Sequence, residues 1–156
     1  MDIMKKLLIS LGVILGLCLD QLVKFLTVKN IPLGESRTFI KGVISFTYLR
    51  NYGAAWSMLQ NQHWFFLLIT LIAITVILYY MIKSYKNNKA MMLGALALIL
   101  TGTLGNFIDR IRLSYVVDMI QFDFINFPIF NIADMFLTFG VIYLYVAIYK
   151  DEKGEK

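Results

Sequence analysis

Charge is scarce in this chain of 156 residues, only 16% of which are Asp, Glu, Lys or Arg, against about 25% in soluble globular domains. Hydrophobic residues make up 59% and the mean hydropathy is +0.70, which excludes an ordinary soluble domain and points to an integral membrane protein. The single cysteine, Cys18, lies inside an apolar run; it excludes an internal disulfide and reads as a small buried or lipid-facing side chain. The single histidine, His63, and the lack of an H-E-x-x-H or a His/Cys cluster argue against zinc hydrolysis, so neither metal nor cofactor is expected. At the mouth of an apolar run, His63 is most simply a solvated or hydrogen-bonded imidazole. With two prolines and no Pro/Gly/Ser-rich linker, low-complexity tract or repeat, residues 1–156 read as a single domain. The surplus of positive charge is spread over loops and termini rather than gathered on a face with interleaved aromatics, so nucleic acid is not an expected partner.

What the chain does have is four long apolar runs. Lys5 and Lys6 followed by residues 7–19 look like a secretory leader, and Leu15-Gly16-Leu17-Cys18 brushes against a lipoprotein cleavage box. Leu17 is not the small residue such a box needs, and Asp20, Gln21 and Lys24 are followed by more apolar residues through Val28, which fits a retained first span. The second span is 64–82, about 19 residues and so long enough for a hydrocarbon core of roughly 30 Å. Residues 90–108 and 132–149 supply the third and fourth. Between spans one and two, Pro32, Gly34 and Gly42 punctuate β-branched and aromatic stretches at 39–40 and 43–49, which predicts a small β-sheet outside the bilayer. Residues 54–59 are expected to form a short interfacial helix with Trp56 at headgroup depth. Residues 115–120 read as a further extended piece. The fold class is therefore a mainly α membrane protein with four transmembrane helices, a small extracytoplasmic sheet and a short interfacial helix.

Four spans put both termini on one side. That side carries Lys5, Lys6, Lys83, Lys86, Lys89, Lys150, Lys153 and Lys156, and the other carries Lys29, Arg37, Lys41, Arg50, Arg110 and Arg112. Eight bases against six, three of the eight in one short loop, favour cytoplasmic termini. The loop between spans three and four then faces outward.

That loop concentrates the chemistry. Asn106 and Asp109/Arg110 stand at i, i+3 and i+4 at the end of the third span, and Asn131 and Asp134 repeat the i, i+3 spacing at the start of the fourth, so both polar faces point toward one place. An ionisable side chain in a membrane segment costs at least about 2.5 kcal/mol at mid-depth and is tolerated with a partner or a task. Asp20 and Lys24, four apart, form such a pair in the first span, with Lys24 also able to snorkel to the interface. Asp118 emerges from the apolar run Val116-Val117-Asp118-Met119-Ile120, where desolvation raises a carboxyl pKa, whereas Asp134 opens a helix, where the dipole favours negative charge. Two such carboxylates in one low-dielectric site can divide the work of activating water and protonating a leaving nitrogen. Asp118 and Asp134 are the expected pair. A serine nucleophile from Ser36, Ser45 or Ser57 with Lys29 or Lys41 is disfavoured, since no spacing singles out a pair.

Asp20-Gln21-Leu22-Val23-Lys24, Asn51-Tyr52-Gly53-Ala54-Ala55-Trp56-Ser57, Gly102-Thr103-Leu104-Gly105-Asn106-Phe107-Ile108-Asp109-Arg110, Val116-Val117-Asp118 and Phe130-Asn131-Ile132-Ala133-Asp134 together resemble signal peptidase II, the lipoprotein signal peptidase family. The resemblance runs in order over nearly the whole chain. It implies a membrane aspartyl endopeptidase that removes the leader of a prolipoprotein just before a cysteine already carrying diacylglycerol, with lipidated precursors and membrane lipid as partners. It implies that Asp118 and Asp134 are catalytic, that Asn51, Gly102, Asn106, Arg110, Asn131 and Ala133 line or brace the site, with Arg110 a donor to substrate backbone, and that Asp20, Lys24 and Asp109 support it. A monomer is expected. Thr101-Gly102-Thr103 departs from the Gly-Gly-Ala of many relatives; threonine hydroxyls bonding back to their own helix would change packing only slightly. Asp123 matches no family position and reads as a surface acid. From other classes, a small proton- or cation-coupled transporter would also use intramembrane acids, though it lacks support from inverted repeats, and a non-catalytic scaffold would use them for assembly alone.

Overall fold

In a computed structural model of the chain, which describes residues 3–53 and 58–153, four long helices and one three-stranded sheet follow the order α1 (Ile3–Asn30), β1 (Ser36–Ile40), β2 (Ile44–Asn51), α2 (His63–Lys86), α3 (Ala90–Leu113), β3 (Val116–Phe122), α4 (Ile132–Glu152). All four helices are long and apolar enough to cross a membrane. Each runs past the expected span, as α2 does in covering His63–Lys86, because polar ends continue the helical hydrogen bonding into the interface. The predicted interfacial helix falls mostly on residues 54–57, outside the described residues; 58–61 form a turn.

Residue size decides which helices approach. α3 contributes most of the buried helical residues, with Ile77, Leu96 and Leu100 at the centre of one apolar cluster between α2 and α3. Against α4 the contact is tighter: an added Cβ at Gly102 would collide with the Ala133 carbonyl oxygen and lie 2.7 Å from Leu137 Cγ. At Gly140 it would lie 2.7 Å from Ile99 Cγ1. Small residues let backbones approach where no hydrophobic drive exists between helices in lipid. Thr101 and Thr103 return their hydroxyls to Ala97 O at 2.8 Å and Ile99 O at 2.7 Å, the self-satisfied arrangement expected of them. Cys18 is exposed on the outside of α1.

The sheet caps the end of the bundle where α3 stops and α4 begins. Strand order is β1-β2-β3, all antiparallel, so the β1–β2 hairpin from before α2 receives β3 from after α3. Gly42 adopts φ 74° in the hairpin turn, a conformation glycine enters without steric cost. An irregularity between Phe46 and Leu49 shifts the β2–β3 register and brings Leu49 opposite Asp118 and Asn51 opposite Val116. Ile31, Tyr48, Val117 and Met119 form the buried core that joins the sheet to the end of α1. Asp123, exposed as expected, accepts from Ser45 Oγ at 2.8 Å.

Candidate active site

Two helix ends and one strand bring the acids together. α4 begins with a capping box: Asn131 Oδ1 accepts from Asp134 N at 3.0 Å, and Asp134 Oδ2 accepts from Asn131 N at 3.0 Å. This reciprocal pairing satisfies helix-end donors that lipid could not. Because Asn131 Oδ1 is committed to Asp134, its Nδ2 faces the other way, donating to Asp118 Oδ1 at 2.7 Å and to Asn106 Oδ1 at 3.1 Å. Asn106 Nδ2 in turn donates to Asp134 Oδ1 at 2.8 Å, and Asn51 Nδ2 donates to Asp118 Oδ2 at 2.9 Å. Each oxygen of each carboxylate thus accepts one N–H, and Asn131 touches both acids.

Asp118 and Asp134 line a single cavity of about 620 Å³ with Asn51, Asn106, Arg110 and Val116, and the cavity continues along Phe127–Phe130, Met135, Leu137 and Phe139. Its polar end holds the acids and its far wall is hydrocarbon. Asp118 is 2% exposed; burial first, then the charge of Asp134, push its carboxyl up to about 7, against the opposing hydrogen bonds from Asn51 and Asn131. The sequence-based expectation for Asp118 rests on the same cause.

Behind the acids lies a second, closed network. Lys24 does not snorkel: it is 3% exposed, and its Nζ lies 3.0 Å from Asp20 Oδ2 and 2.9 Å from Asp109 Oδ2. It also donates to Asn106 Oδ1 at 3.2 Å. Turning inward gives two carboxylates the counter-charge that they would otherwise lack when buried. Asp20 Oδ1 accepts from Ala133 N at 2.9 Å and Asp109 Oδ2 from Val117 N at 3.1 Å, so the ion triad holds the backbone immediately before Asp134 and Asp118. Gln21, which the sequence reading left without a role, donates to Asp109 Oδ1 at 3.0 Å and Asp20 Oδ2 at 3.2 Å. Gly105 is a second omission. A Cβ there would sit 2.6 Å from Asp20 Oδ2 and 2.9 Å from Ala133 Cβ. Gly94, Gly102 and Gly105 are spaced small residues in the third span, a pattern that lets helices approach closely in lipid.

Arg110 projects into the cavity from the end of α3, donates from Nη2 to Gly53 O at 3.3 Å and lies over the Phe66 ring at 5.1 Å. The expected site residues Asn51, Asn106, Arg110, Asp118 and Asp134 meet at the cavity. Gly102 and Ala133 set the α3–α4 approach beside it, and Asp20, Lys24 and Asp109 form the layer beneath. His63 is half-buried, with the Trp64 ring edge-on at 5.5 Å; its Nδ1 alone is buried with no hydrogen-bond partner among the described residues. Among the described residues no three His, Cys, Asp or Glu side chains converge as a metal-ligand set.

Known proteins are similar to this chain in sequence and in fold. A lipoprotein signal peptidase of Streptococcus agalactiae serotype Ia is 52% identical over 151 residues, covering 97% of each chain. One from Enterococcus faecalis is 54% identical over 138 residues, 88% of this chain and 85% of the relative. A bacterial membrane enzyme solved by the in meso method at 2.3 Å resolution superposes with a TM-score of 0.86 at 37% identity, over 95% of this chain and 91% of that one. A second, solved at 1.9 Å, gives 0.82 at 37% identity over 92% and 93%. The profile of Signal peptidase (SPase) II matches residues 12–150. On four apolar spans, with its acids gathered at one end of the bundle, this multi-pass bacterial membrane protein belongs to the signal peptidase II family.

Proposed function

We propose that the chain is an aspartyl endopeptidase that removes the leader of lipidated lipoprotein precursors, with Asp118 and Asp134 as its catalytic pair. The observation that carries this reading is the shared cavity: both carboxylates line it, and Asn131 donates to Asp118 while capping Asp134.

The chemistry follows from the hydrogen-bond directions. All four carboxylate oxygens accept N–H groups from Asn51, Asn106 and Asn131, which fixes the carboxylates and leaves their remaining lone pairs for water and substrate. With its carboxyl pushed up to about 7, Asp118 is available to hold the pair's proton at neutral pH. Asp134 takes a proton from water as its oxygen attacks the scissile carbonyl carbon; Asp118 gives its proton to the departing nitrogen as the C–N bond breaks. Proton sharing between close acids makes both roles available in one site. Arg110 stands where it can donate to substrate backbone. The apolar wall from Phe127 to Phe139 suits a substrate that arrives laterally from lipid.

In this reading the termini are cytoplasmic, the acids face the outer side of the bacterial cytoplasmic membrane, and residues 1–156 act as one domain and as a monomer. Purified protein in vesicles, incubated with a diacylglyceryl-modified precursor, should release a leader ending one residue before the lipidated cysteine, seen by mass spectrometry. An intact precursor, or a cut elsewhere, would refute it.

A further inference from the structure

One face of the sheet carries apolar side chains that are only half-buried: Phe46 and Ile120 pack partly against the cluster of Ile31 and Tyr48, and the outer ends of the face are uncovered. In an antiparallel ladder, directly opposed residues share a face. The pairs Arg37↔Phe46, Phe46↔Ile120 and Ile44↔Phe122 therefore place Arg37, Phe46, Ile44, Ile120 and Phe122 together. Phe39 joins them, its ring edge-on to Phe46 at 5.4 Å. At the other end Phe122 contacts the rings of Phe124 and Phe127 at 5.5 and 5.8 Å. Asp123 N donates to Val43 O at 3.0 Å, so the hairpin tip and the 123–130 loop are neighbours. The opposite face is polar: Thr38, Ser45 and Gln121 lie on it, with Ser36, Thr47 and Gln121 linked by hydroxyl and amide hydrogen bonds.

The outward ends of this aromatic face are bare. Phe39 is 66% exposed and Phe124 61%, with Ile40, Val43, Ile125 and Phe127 exposed beside them. A patch of this kind marks an interaction surface. Two observations identify its occupant. First, it is continuous with the lipid-facing surface of the bundle, since Phe122 and Phe127 line the same cavity as Phe139 on the exposed side of α4. Second, the charge it carries is basic: Arg37 lies on the apolar face and Lys41 at the exposed hairpin tip, whereas Asp123 is held on the polar face by Ser45.

We infer that the hairpin tip around Phe39–Ile40 and the loop around Phe124–Phe127 form a membrane-inserting rim, seated in the leaflet on the acid-bearing side with Arg37 and Lys41 against anionic lipid headgroups. Aromatic side chains favour that depth, and each basic residue near an anionic surface adds attraction. The rim holds the apolar end of the cavity open to lipid while Thr38, exposed on the polar face, stays in water. This concerns membrane contact alone and does not depend on the hydrolytic reading.

The test uses the full chain with Cys18→Ser and one new cysteine at a time, Phe39→Cys, Phe124→Cys or, on the polar face, Thr38→Cys, each spin-labelled in vesicles of phosphatidylcholine and phosphatidylglycerol. Labels at 39 and 124 should be relaxed more by oxygen than by an aqueous nickel chelate, and the label at 38 the reverse. Stronger relaxation by nickel at 39 and 124 would overturn the proposal. Phosphatidylcholine alone should make the labels at 39 and 124 shallower; unchanged depth would overturn the part assigned to Arg37 and Lys41. Since no readout is peptide cleavage, failure here is separable from failure of the proposed function.

Discussion

Asn131 Nδ2 donates to Asp118 Oδ1 at 2.7 Å while the same side chain caps the helix that Asp134 opens. One amide therefore sets the position of an acid on a strand and of an acid on a helix. Asn131→Ala removes the cap and the bridge together, and should cost about 1–2 kcal/mol of stability. Its effect on rate should be larger, on the order of 10²-fold or more in kcat, since positioning at the reacting atoms is what it supplies. Cleavage assays alongside thermal melts in detergent check the split. A fall in activity no larger than the fraction unfolded would contradict it.

Gly102→Ala tests the helix approach. The new methyl would overlap the Ala133 carbonyl oxygen, and backbone cannot swing aside as a side-chain tip can. Destabilisation of about 1–3 kcal/mol is expected from overpacking, with activity lost because Asp134 lies one residue beyond Ala133. Gly12→Ala, inside α1, meets nothing within 4 Å and should leave activity unchanged and stability no lower, since alanine favours a helix interior by up to about 1 kcal/mol. Equal melting temperatures for the two variants would remove this role from Gly102.

Lys24→Met would leave Asp20 and Asp109 buried without their cation. The expected cost is about 3–5 kcal/mol. Adding Asp109→Asn to Lys24→Met should recover part of it, because the amide needs no counter-charge. A double variant no more stable than the single one would show that the ion triad is not what holds this layer.

The raised Asp118 carboxyl gives a pH signature. Its folded value of about 7 lies above the roughly 3.9 of an unfolded aspartate, so the native state binds the proton more tightly. The stabilisation from that proton is full below about pH 4 and is lost as pH rises through 7. Relative to Asp118→Asn, the wild type should therefore lose stability between pH 4 and 7, and in the assay kcat should fall above pH 7 as the shared proton leaves. Melting curves of the two proteins that stay parallel with pH would contradict the assignment.

The four spans were legible because the bilayer imposes length and apolarity on each segment by itself. The i, i+3 spacing of Asn131 and Asp134 was legible as a shared polar face, and the capping box it forms became visible only in the structure. That Asp118 and Asp134 form a pair was expected from the residue types and the resemblance; the geometry that brings them to one cavity was not legible, because it depends on a β2–β3 register and on how closely α3 and α4 approach, which no local pattern encodes. The inward turn of Lys24 was hidden for a related reason: a lysine at a helix end can snorkel as easily as it can bury, and only the arrival of Asp109 from another helix decides. Gln21 had no local signal at all. Its amide matters through α3, far along the chain.

The most direct measurement of the central claim is the turnover of a lipidated precursor by reconstituted Asp118→Asn and Asp134→Asn, each shown to be folded by its melt. A drop of at least about 10³-fold in kcat is expected for each, the scale associated with loss of a member of an acid–base unit. Near wild-type cleavage by either folded variant would contradict the account.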